Sequence, residues 1–487
     1  MMEFSIYDIL VFSPIVALIS IAILKPEDKK WIIGLSTLYS LVILAIAIFA
    51  YTKADVIPES SHTWLKLDKP NVDIKWSLAL QDGLSSSLVL LTALLLPISI
   101  MVSYKSITKH LKTFYCSLFF LTAGMFGTFM ATDLFAFYIC WESVLAPMLI
   151  LIGIWGSTNR RYAAVKLFLF TMLGSLPMLA ALLAVSWNGT AFITDLSELT
   201  AVDTAPWVFW SIAIAFAIKL PLIPLHTWLP DAHTEAPTAG SVILAGVMLK
   251  MGTYGFLRLA IPFFPELQYE AAYNILGWIA CIGIIWGAMM ALAQTDIKRL
   301  IAYSSVSHLG TCMLGIFALN QMGITGGQMQ MINHGISTGL LFLVFGMLYE
   351  RGHVRDIAAY GGLARKVPIL TTCFFIATLS SIGAPGTNGF VGEFTILLAA
   401  FQKNAAWGVV ASLGVILGAV YMLRLFRLVF LGPLKLPEGS EEHMHDLTAR
   451  EIILLSPLMI LVFVLGIKPE YLMDGLNEFT SKLIGMN

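Results

Sequence analysis

Two short runs of proline and glycine, each inside a long apolar segment, decide how this sequence folds. The first is Lys219-Leu220-Pro221-Leu222-Ile223-Pro224, and the second is Gly383-Ala384-Pro385-Gly386-Thr387-Asn388-Gly389. Proline removes a backbone donor and clashes with the preceding helical turn, and glycine weakens the helix further. Irregular backbone at membrane depth persists only where protein buries it or where it lines a polar cavity. Each run is therefore predicted to break a membrane helix, although a simple proline kink is an alternative for either run alone.

The composition around these runs is that of an integral membrane protein. Of the 487 residues, 58% are hydrophobic and 12% are charged, whereas soluble domains are about half apolar and a quarter charged. This excludes a soluble enzyme, and the continuous apolar runs do not alternate as β-barrel strands do. The net charge of −1 offers no basic excess for nucleic acid.

Fourteen apolar runs reach the length of about 20 residues that one membrane crossing requires. They lie near 5–24, 31–51, 82–104, 111–131, 133–155, 161–186, 206–229, 236–261, 271–293, 298–319, 326–350, 367–402, 405–432 and 449–467. We therefore expect an all-α membrane protein without a separate soluble domain. The expected regions are three helices with an external loop in 1–110, a first repeat in 111–261, a second in 271–432, and a last helix with a short tail in 433–487.

Lysine and arginine mark the cytoplasmic side of a membrane protein. Eighteen of the 29 basic residues fall in the odd-numbered connections and eight fall on the other side. Both termini are therefore predicted to face away from the cytoplasm, in what we expect to be a bacterial inner membrane. The N-terminal residues lack the basic region of a cleaved signal, so the first apolar run is expected to stay as a helix.

An internal repeat is indicated by two pairs of similar motifs. Pro221 and Pro385 lie 164 residues apart, and the motifs at 132–134 (Thr-Asp-Leu) and 295–297 (Thr-Asp-Ile) lie 163 residues apart. Predicted spans 4–8 and 9–13 would then be two copies of a five-helix unit, and the odd number of helices inverts the second copy. Paired broken helices in inverted repeats indicate a transport site.

Several ionisable side chains fall inside the predicted helices, where a charge costs about 2.5 kcal/mol or more. They are Glu142, Lys219, Lys250, His334 and Glu393, with Lys166 and His308 as weaker members. One or two structural ion pairs are the alternative, but they would not explain two acids, two lysines and two histidines spread over six spans. Buried lysine, histidine and glutamic acid can each hold or release a proton, whereas sodium requires a cage of oxygens. The set therefore favours protons as the cargo.

No cofactor motif accompanies these charges. The cysteines fall inside apolar runs without the grouping that zinc or iron–sulfur clusters need, so they are predicted to be small core residues. The sequence also lacks a glycine-rich phosphate loop for NADH or ATP. Any redox chemistry is expected on a partner.

The run 218–238, which reads IKLPLIPLHTWLPDAHTEAPT, resembles the signature of the antiporter-like membrane subunits. These subunits occur in respiratory complex I, the proton-translocating NADH-quinone oxidoreductase, and in Mrp-type cation/proton antiporters. Trp141-Glu142 and the run 303–308 also match, so the resemblance covers essentially the whole chain. It implies a 14-helix fold with inverted repeats.

Smaller features favour one branch of this family. The glutamate in Phe390-Val391-Gly392-Glu393-Phe394 is similar to the chain M family of complex I, whereas N-type and Mrp D-type subunits place lysine there. An L-type subunit carries a long lateral helix after its last bundle helices. This chain ends about 20 residues after the last predicted span, so it does not resemble an L-type subunit.

The resemblance also implies residue roles. Glu142 and Lys219 would form a modulating pair, Lys250 a central relay, His308 and His334 a bridge between the halves, and Glu393 the terminal proton site. Lys166 matches a further lysine of the family. NADH, FMN, iron–sulfur clusters and quinone are expected on partner subunits, with L-type and N-type membrane subunits and lipid as neighbours. An Mrp-type subunit that exchanges sodium or potassium for protons, and a purely structural membrane spacer, are the alternatives.

Overall fold

The computed structural model describes residues 5–485 except 55, 69–70, 188–190, 197 and 200–204. The described chain is mainly helical, with one small sheet. The helices of the first part are α1 (Ile6–Ile23), α2 (Lys29–Thr52), α3 (Gly83–Ser106), α4 (Leu111–Met130), α5 (Leu134–Ser143), α6 (Leu145–Trp155), α7 (Arg160–Ser186), α8 (Pro206–Lys219), α9 (Trp228–Glu235), α10 (Thr238–Ile243), α11 (Lys250–Gly255) and α12 (Ile261–Phe263). Those that follow are α13 (Glu266–Leu292), α14 (Ile297–Phe317), α15 (Gln321–Gly352), α16 (Pro368–Ser381), α17 (Asn388–Lys403), α18 (Ala405–Phe430), α19 (Ala449–Ile467) and α20 (Glu470–Gly485).

The prediction of an all-α membrane protein is confirmed. Within the described residues, 12 helical segments are long and apolar enough to cross a membrane. Two shorter apolar helices, α8 and α16, open the two segments that were expected to be broken. Every predicted span thus coincides with helix, while the count of fourteen crossings stays a prediction. Several bounds differ, since α13 begins at Glu266 instead of 271 and α15 at Gln321 instead of 326.

Both predicted helix breaks are present. Helix α8 ends at Lys219 and α9 begins at Trp228, and α16 ends at Ser381 and α17 begins at Asn388. In the second break the backbone φ is +66° at Gly383 and +88° at Gly386, a region that side chains with a Cβ rarely adopt. Glycine therefore allows the chain to leave the helical conformation between the two half-helices.

The expected external loop and C-terminal tail both contain regular structure. Most of residues 52–81, between α2 and α3, form a β-hairpin, in which β1 (Ser60–Asp68) pairs antiparallel with β2 (Asn71–Leu78). A short strand β3 (Ala191–Phe192) adds to β2 in parallel. The C-terminal tail is the 16-residue helix α20. Its apolar residues recur at helical spacing, but the segment is too polar to be counted as a membrane span.

The predicted repeat has a structural counterpart in the two aspartates of its motifs. The Asp133 carboxylate accepts hydrogen bonds from the first turn of α5, and Asp296 caps α14 in the same way. Each aspartate also forms one antiparallel bridge further along the chain, Asp133 with Asp195 and Asp296 with Asp356. The same capped helix start and the same bridge thus recur at the predicted spacing, which supports a five-helix repeat.

The chain packs into two compact units. The first holds the described residues up to Leu220 together with Val247–Glu270, and the second holds Pro221–Gly246 and Ala271–Ile484. The division therefore passes through the first helix break and through the segment Leu244–Met248. The core of the second unit includes α14 and α15, whose membrane windows are fully buried.

Candidate functional site

In the first unit, Trp141 connects two of the predicted site residues. Glu142 follows it near the end of α5, and the Lys219 ammonium lies 5.1 Å from the centre of the Trp141 ring. The Trp141 indole donates a hydrogen bond to Ser175 of α7 at 3.2 Å, which fixes the ring. A buried ammonium over an indole face gains a cation–π interaction. Trp141 thus holds the ammonium of Lys219, which is the last residue of α8 and lies directly before the break.

Glu142 directly follows the tryptophan that holds Lys219, but no direct ion pair joins Glu142 to Lys219 within the described part of the chain. The Glu142 Oε1 atom is buried without a hydrogen-bond partner among the described residues. Buried polar atoms are normally paired with protein or water, so this oxygen is suited to accept a hydrogen bond from a water molecule.

Lys250 is fully buried at the start of α11. Its short helix lies between two π-helical segments, Leu244–Met248 and Phe256–Ala260, and such widened turns are frequent at functional sites. A Cβ on Gly252 would come within 2.8 Å of the Phe216 carbonyl of α8. Glycine therefore lets the helix of Lys250 approach the helix that ends at Lys219.

Lys166 differs from the other predicted residues of this unit. It is half-buried on α7, and its ammonium lies 5.4 Å from the ring centre of Tyr162, one turn earlier. Arg160 and Arg161, the first two residues of α7, directly precede that tyrosine. This placement fits a lysine that reaches toward the membrane surface.

The second unit brings together three residues that are far apart in sequence. His308 Nδ1 on α14 lies 3.1 Å from Glu393 Oε1 on α17, and the Gln330 amide donates to the same oxygen at 3.2 Å. The ring centres of His308 and His334 are 5.9 Å apart. All four side chains are nine-tenths or more buried. Both histidines and Glu393, which were predicted from separate spans, therefore form one buried polar cluster.

The other nitrogen of His308 faces two hydroxyl groups. Its Nε2 lies 3.3 Å from Ser381 Oγ, at the end of α16, and 3.4 Å from Tyr421 Oη on α18. A neutral imidazole has one donor and one acceptor nitrogen, and the protonated ring has two donors. A hydroxyl can serve either state, because it both donates and accepts.

Two cavities meet at His308. The first is lined by His308 and Ser381 together with His334, Gln330, Asn333 and Ser380. The second is lined by His308 and Ser381 together with Glu393 and Tyr421. The polar lining makes both suitable for water, which needs several hydrogen-bonding partners in a buried space.

An interlocking pair of asparagines holds the second broken helix. The Asn333 amide of α15 donates to the Asn388 carbonyl at 2.7 Å, and the Asn388 amide donates back to the Asn333 carbonyl at 3.3 Å. The Ser380 hydroxyl donates to the Asn388 side chain at 2.6 Å. These bonds tie both half-helices, α16 and α17, to the helix that carries His334.

Sequence reasoning missed one buried cation, Lys298, and one that is partly buried, Arg258. Lys298, which was counted with a cytoplasmic connection, is buried at the start of α14, and its ammonium donates to the Ala236 carbonyl. Arg258 of the first unit pairs with Asp82 and also donates to the Tyr254 hydroxyl. The i, i+4, i+8 spacing of Lys250, Tyr254 and Arg258 on one helix face was the available signal for Arg258.

The broken helices and the buried charged set define an antiporter-like membrane subunit, and a family comparison agrees. Residues 131–418 match the family model described as NADH:quinone oxidoreductase/Mrp antiporter, TM. NADH-quinone oxidoreductase subunit M of Rickettsia prowazekii (strain Madrid E) is 41% identical over 99% of both chains. NADH-ubiquinone oxidoreductase chain 4 of Marchantia polymorpha is 40% identical over 83% of this chain and 81% of the relative.

Solved structures show the same fold. A chain in respiratory complex I from Thermus thermophilus is 31% identical with a TM-score of 0.86, over 98% of this chain and 99% of that one. A chain of the Mrp complex from Dietzia has a TM-score of 0.85 at 20% identity, over 99% and 98% of the two chains, which shows the fold alone. The chain belongs to the NADH-quinone oxidoreductase subunit M family. The predicted resemblance is thereby confirmed.

Proposed function

We propose that this chain moves protons across the membrane as a subunit of NADH-quinone oxidoreductase, driven by redox chemistry on other subunits. The observation that carries the proposal is the buried cluster of His334, His308 and Glu393 beside a broken helix. Each member of the cluster can take up and release a proton, and two polar cavities meet at its centre. Family membership supports the same role.

In the first unit, Lys219 is the switching residue. A lysine buried in protein holds its proton when an anion is near and releases it when the anion withdraws. Glu142 follows the tryptophan that holds the Lys219 ammonium but forms no ion pair with that lysine among the described residues, and the helical hydrogen bonds of α8 end at the break after Lys219. Lys250 is the next proton carrier, because Gly252 lets the helix of Lys250 approach α8. Lys166 is a further lysine toward the surface.

In the second unit, His308 passes the proton toward Glu393. An imidazole can accept a proton at one nitrogen and give up the proton at the other, and Nδ1 of His308 faces the Glu393 carboxylate. The Gln330 amide holds that carboxylate in place. Glu393 is thereby the last proton site of this unit, with His334 on the opposite side of His308.

The assembly around the chain forms part of the proposal. NADH, FMN, iron–sulfur clusters and quinone are bound by partner subunits, and this chain carries protons without redox chemistry of its own. Its membrane neighbours are the L-type and N-type antiporter-like subunits. The chain lies in a bacterial inner membrane, and both of its termini face away from the cytoplasm. The repeats at 111–261 and 271–432 supply one proton-carrying half each.

An Mrp-type exchanger of sodium or potassium for protons is the alternative, and the Dietzia complex shares the fold. The ionisable residues of the clusters described above are lysine, histidine and glutamate, whereas a hard cation requires a cage of oxygens. The two functions differ in their response to salt. Proton movement that is independent of sodium and potassium supports the subunit of complex I.

The test is to replace Lys219 by alanine and by arginine. Arginine keeps the positive charge but does not release its proton in proteins. In vesicles that carry the assembled complex, both variants are expected to lose proton uptake during NADH oxidation. The matched control is Lys482→Arg, at an exposed lysine paired with Glu478, which is expected to pump like the parent. Pumping by Lys219→Arg would show that Lys219 is a structural charge and not a relay, and would also leave the spacer interpretation open.

A further inference from the structure

Ser381 occupies a place that none of the residues predicted from the sequence fills. It is the last residue of α16, directly before the second break, and its side chain is 5% exposed. Its hydroxyl lies 3.3 Å from His308 Nε2, on the side of the ring opposite to Glu393. A proton that reaches Glu393 through the imidazole has to arrive at this nitrogen.

Two hydroxyls face His308 Nε2, and the cavities distinguish them. Ser381 lines both the cavity on the His334 side and the cavity on the Glu393 side, whereas Tyr421 lines only the latter. A proton donor on the His334 side can therefore reach Ser381 without passing the ring of His308. Tyr421, which is 1% exposed, holds the same nitrogen from α18 and acts as a positioning residue.

We propose that the Ser381 hydroxyl is a further member of the relay and links the His334 cavity to His308. In the transfer, Ser381 Oγ accepts a proton from a water or imidazolium on the His334 side. Its own hydroxyl proton passes to Nε2 of His308, and the proton on Nδ1 passes to Glu393 Oε1. One bond forms and one breaks at each of Ser381 and His308, so the serine ends as it began. No electrons are exchanged.

This inference rests on the proposed proton transfer through His308 and Glu393. Its test compares Ser381→Thr with Ser381→Val, two side chains of nearly the same shape of which only threonine has a hydroxyl. The control is Thr371→Val on the same half-helix, where the hydroxyl donates only to the Val367 carbonyl of its own helix. Glu393→Gln is measured beside them as the reference for the relay.

Proton uptake per NADH oxidised is measured in vesicles, normalised to assembled complex, over a range of pH. We expect Ser381→Val to lose uptake, Ser381→Thr to keep it with the parent's pH profile, and Thr371→Val to match the parent. Rescue by threonine separates a hydroxyl relay from a packing role. If the valine variant does not assemble, Ser381→Ala is judged by the same criterion.

The inference on Ser381 and the proposed function fail in different ways. Parent-like uptake by Ser381→Val, with uptake lost in Glu393→Gln, overturns the role of Ser381 and leaves the proposed function standing. Loss in both the threonine and valine variants likewise overturns the hydroxyl relay, since it shows that shape is what matters. Parent-like uptake by Glu393→Gln overturns the proposed transfer through His308 and Glu393, on which the inference on Ser381 rests.

Discussion

Replacing Gly383 by alanine should uncouple the second unit, and the structure gives the size of the disturbance. A Cβ on Gly383 would lie 2.5 Å from Glu393 Oε2, whereas ordinary contacts begin at 3.4 Å. The carboxylate must therefore withdraw by roughly 0.9 Å, the difference between these two distances. Its other oxygen is held 3.1 Å from His308 Nδ1, so a shift of this size removes a good hydrogen bond. Misplacing reacting groups by about 1 Å can cost on the order of a hundredfold in rate.

Gly386→Ala provides the matched control for this prediction. Both glycines have a positive φ, so each substitution costs roughly 1–2 kcal/mol of backbone strain. Nothing lies within 4 Å of a Cβ built on Gly386, so that variant bears strain without displacing Glu393. A difference in proton uptake between the two variants therefore results from the displacement of the Glu393 carboxylate.

Proton uptake into vesicles during NADH oxidation is measured by the fluorescence quenching of a pH-sensitive dye and is normalised to the amount of assembled complex. We expect proton uptake to fall by about one to two orders of magnitude in Gly383→Ala and to remain near the parent's in Gly386→Ala. Equal uptake by both variants would refute the reasoning, since it would mean that the contact between His308 and Glu393 does not limit transfer.

The remaining predictions concern the first unit. Glu142→Ala is expected to impair pumping without loss of the subunit, because the charge that acts on Lys219 is removed; parent-like uptake by the assembled variant, in the same vesicle assay, would contradict this. Arg258→Gln should destabilise the protein by about 3 kcal/mol, because it leaves the Asp82 charge buried and unpaired. The thermal midpoint of the purified complex measures that loss, and adding Asp82→Asn should restore part of it; no recovery in the double variant would count against the ion pair.

The sequence predicted the features that depend on local chemistry. Proline and glycine runs break helices wherever they occur, so the ends of α8 at Lys219 and α16 at Ser381 followed from residue types alone. The capping aspartates at 133 and 296 were visible as a repeated motif, although their role as helix caps was not.

The features that depend on packing could not be predicted. His308 and Glu393 are 85 residues apart, and no periodicity indicates which face of each helix meets the other. The π-helical turns beside Lys250 arise in a segment whose residue types suit an ordinary helix. Lys298 was misplaced because a lysine near a predicted helix end is usually solvated, whereas here the end of α9 covers it and supplies a carbonyl acceptor.

The most direct test of the account is the number of protons taken up per NADH oxidised by complex that carries Glu393→Gln, beside Glu393→Lys. Glutamine keeps the shape and the hydrogen bond from Gln330 but cannot release a proton, whereas lysine can carry one, as the sister subunits are expected to do. We expect a lower proton yield for Glu393→Gln at full assembly, and a yield partly restored in Glu393→Lys. A parent-like yield with glutamine at position 393 would contradict it, since protons would then leave this chain by a route that does not include Glu393.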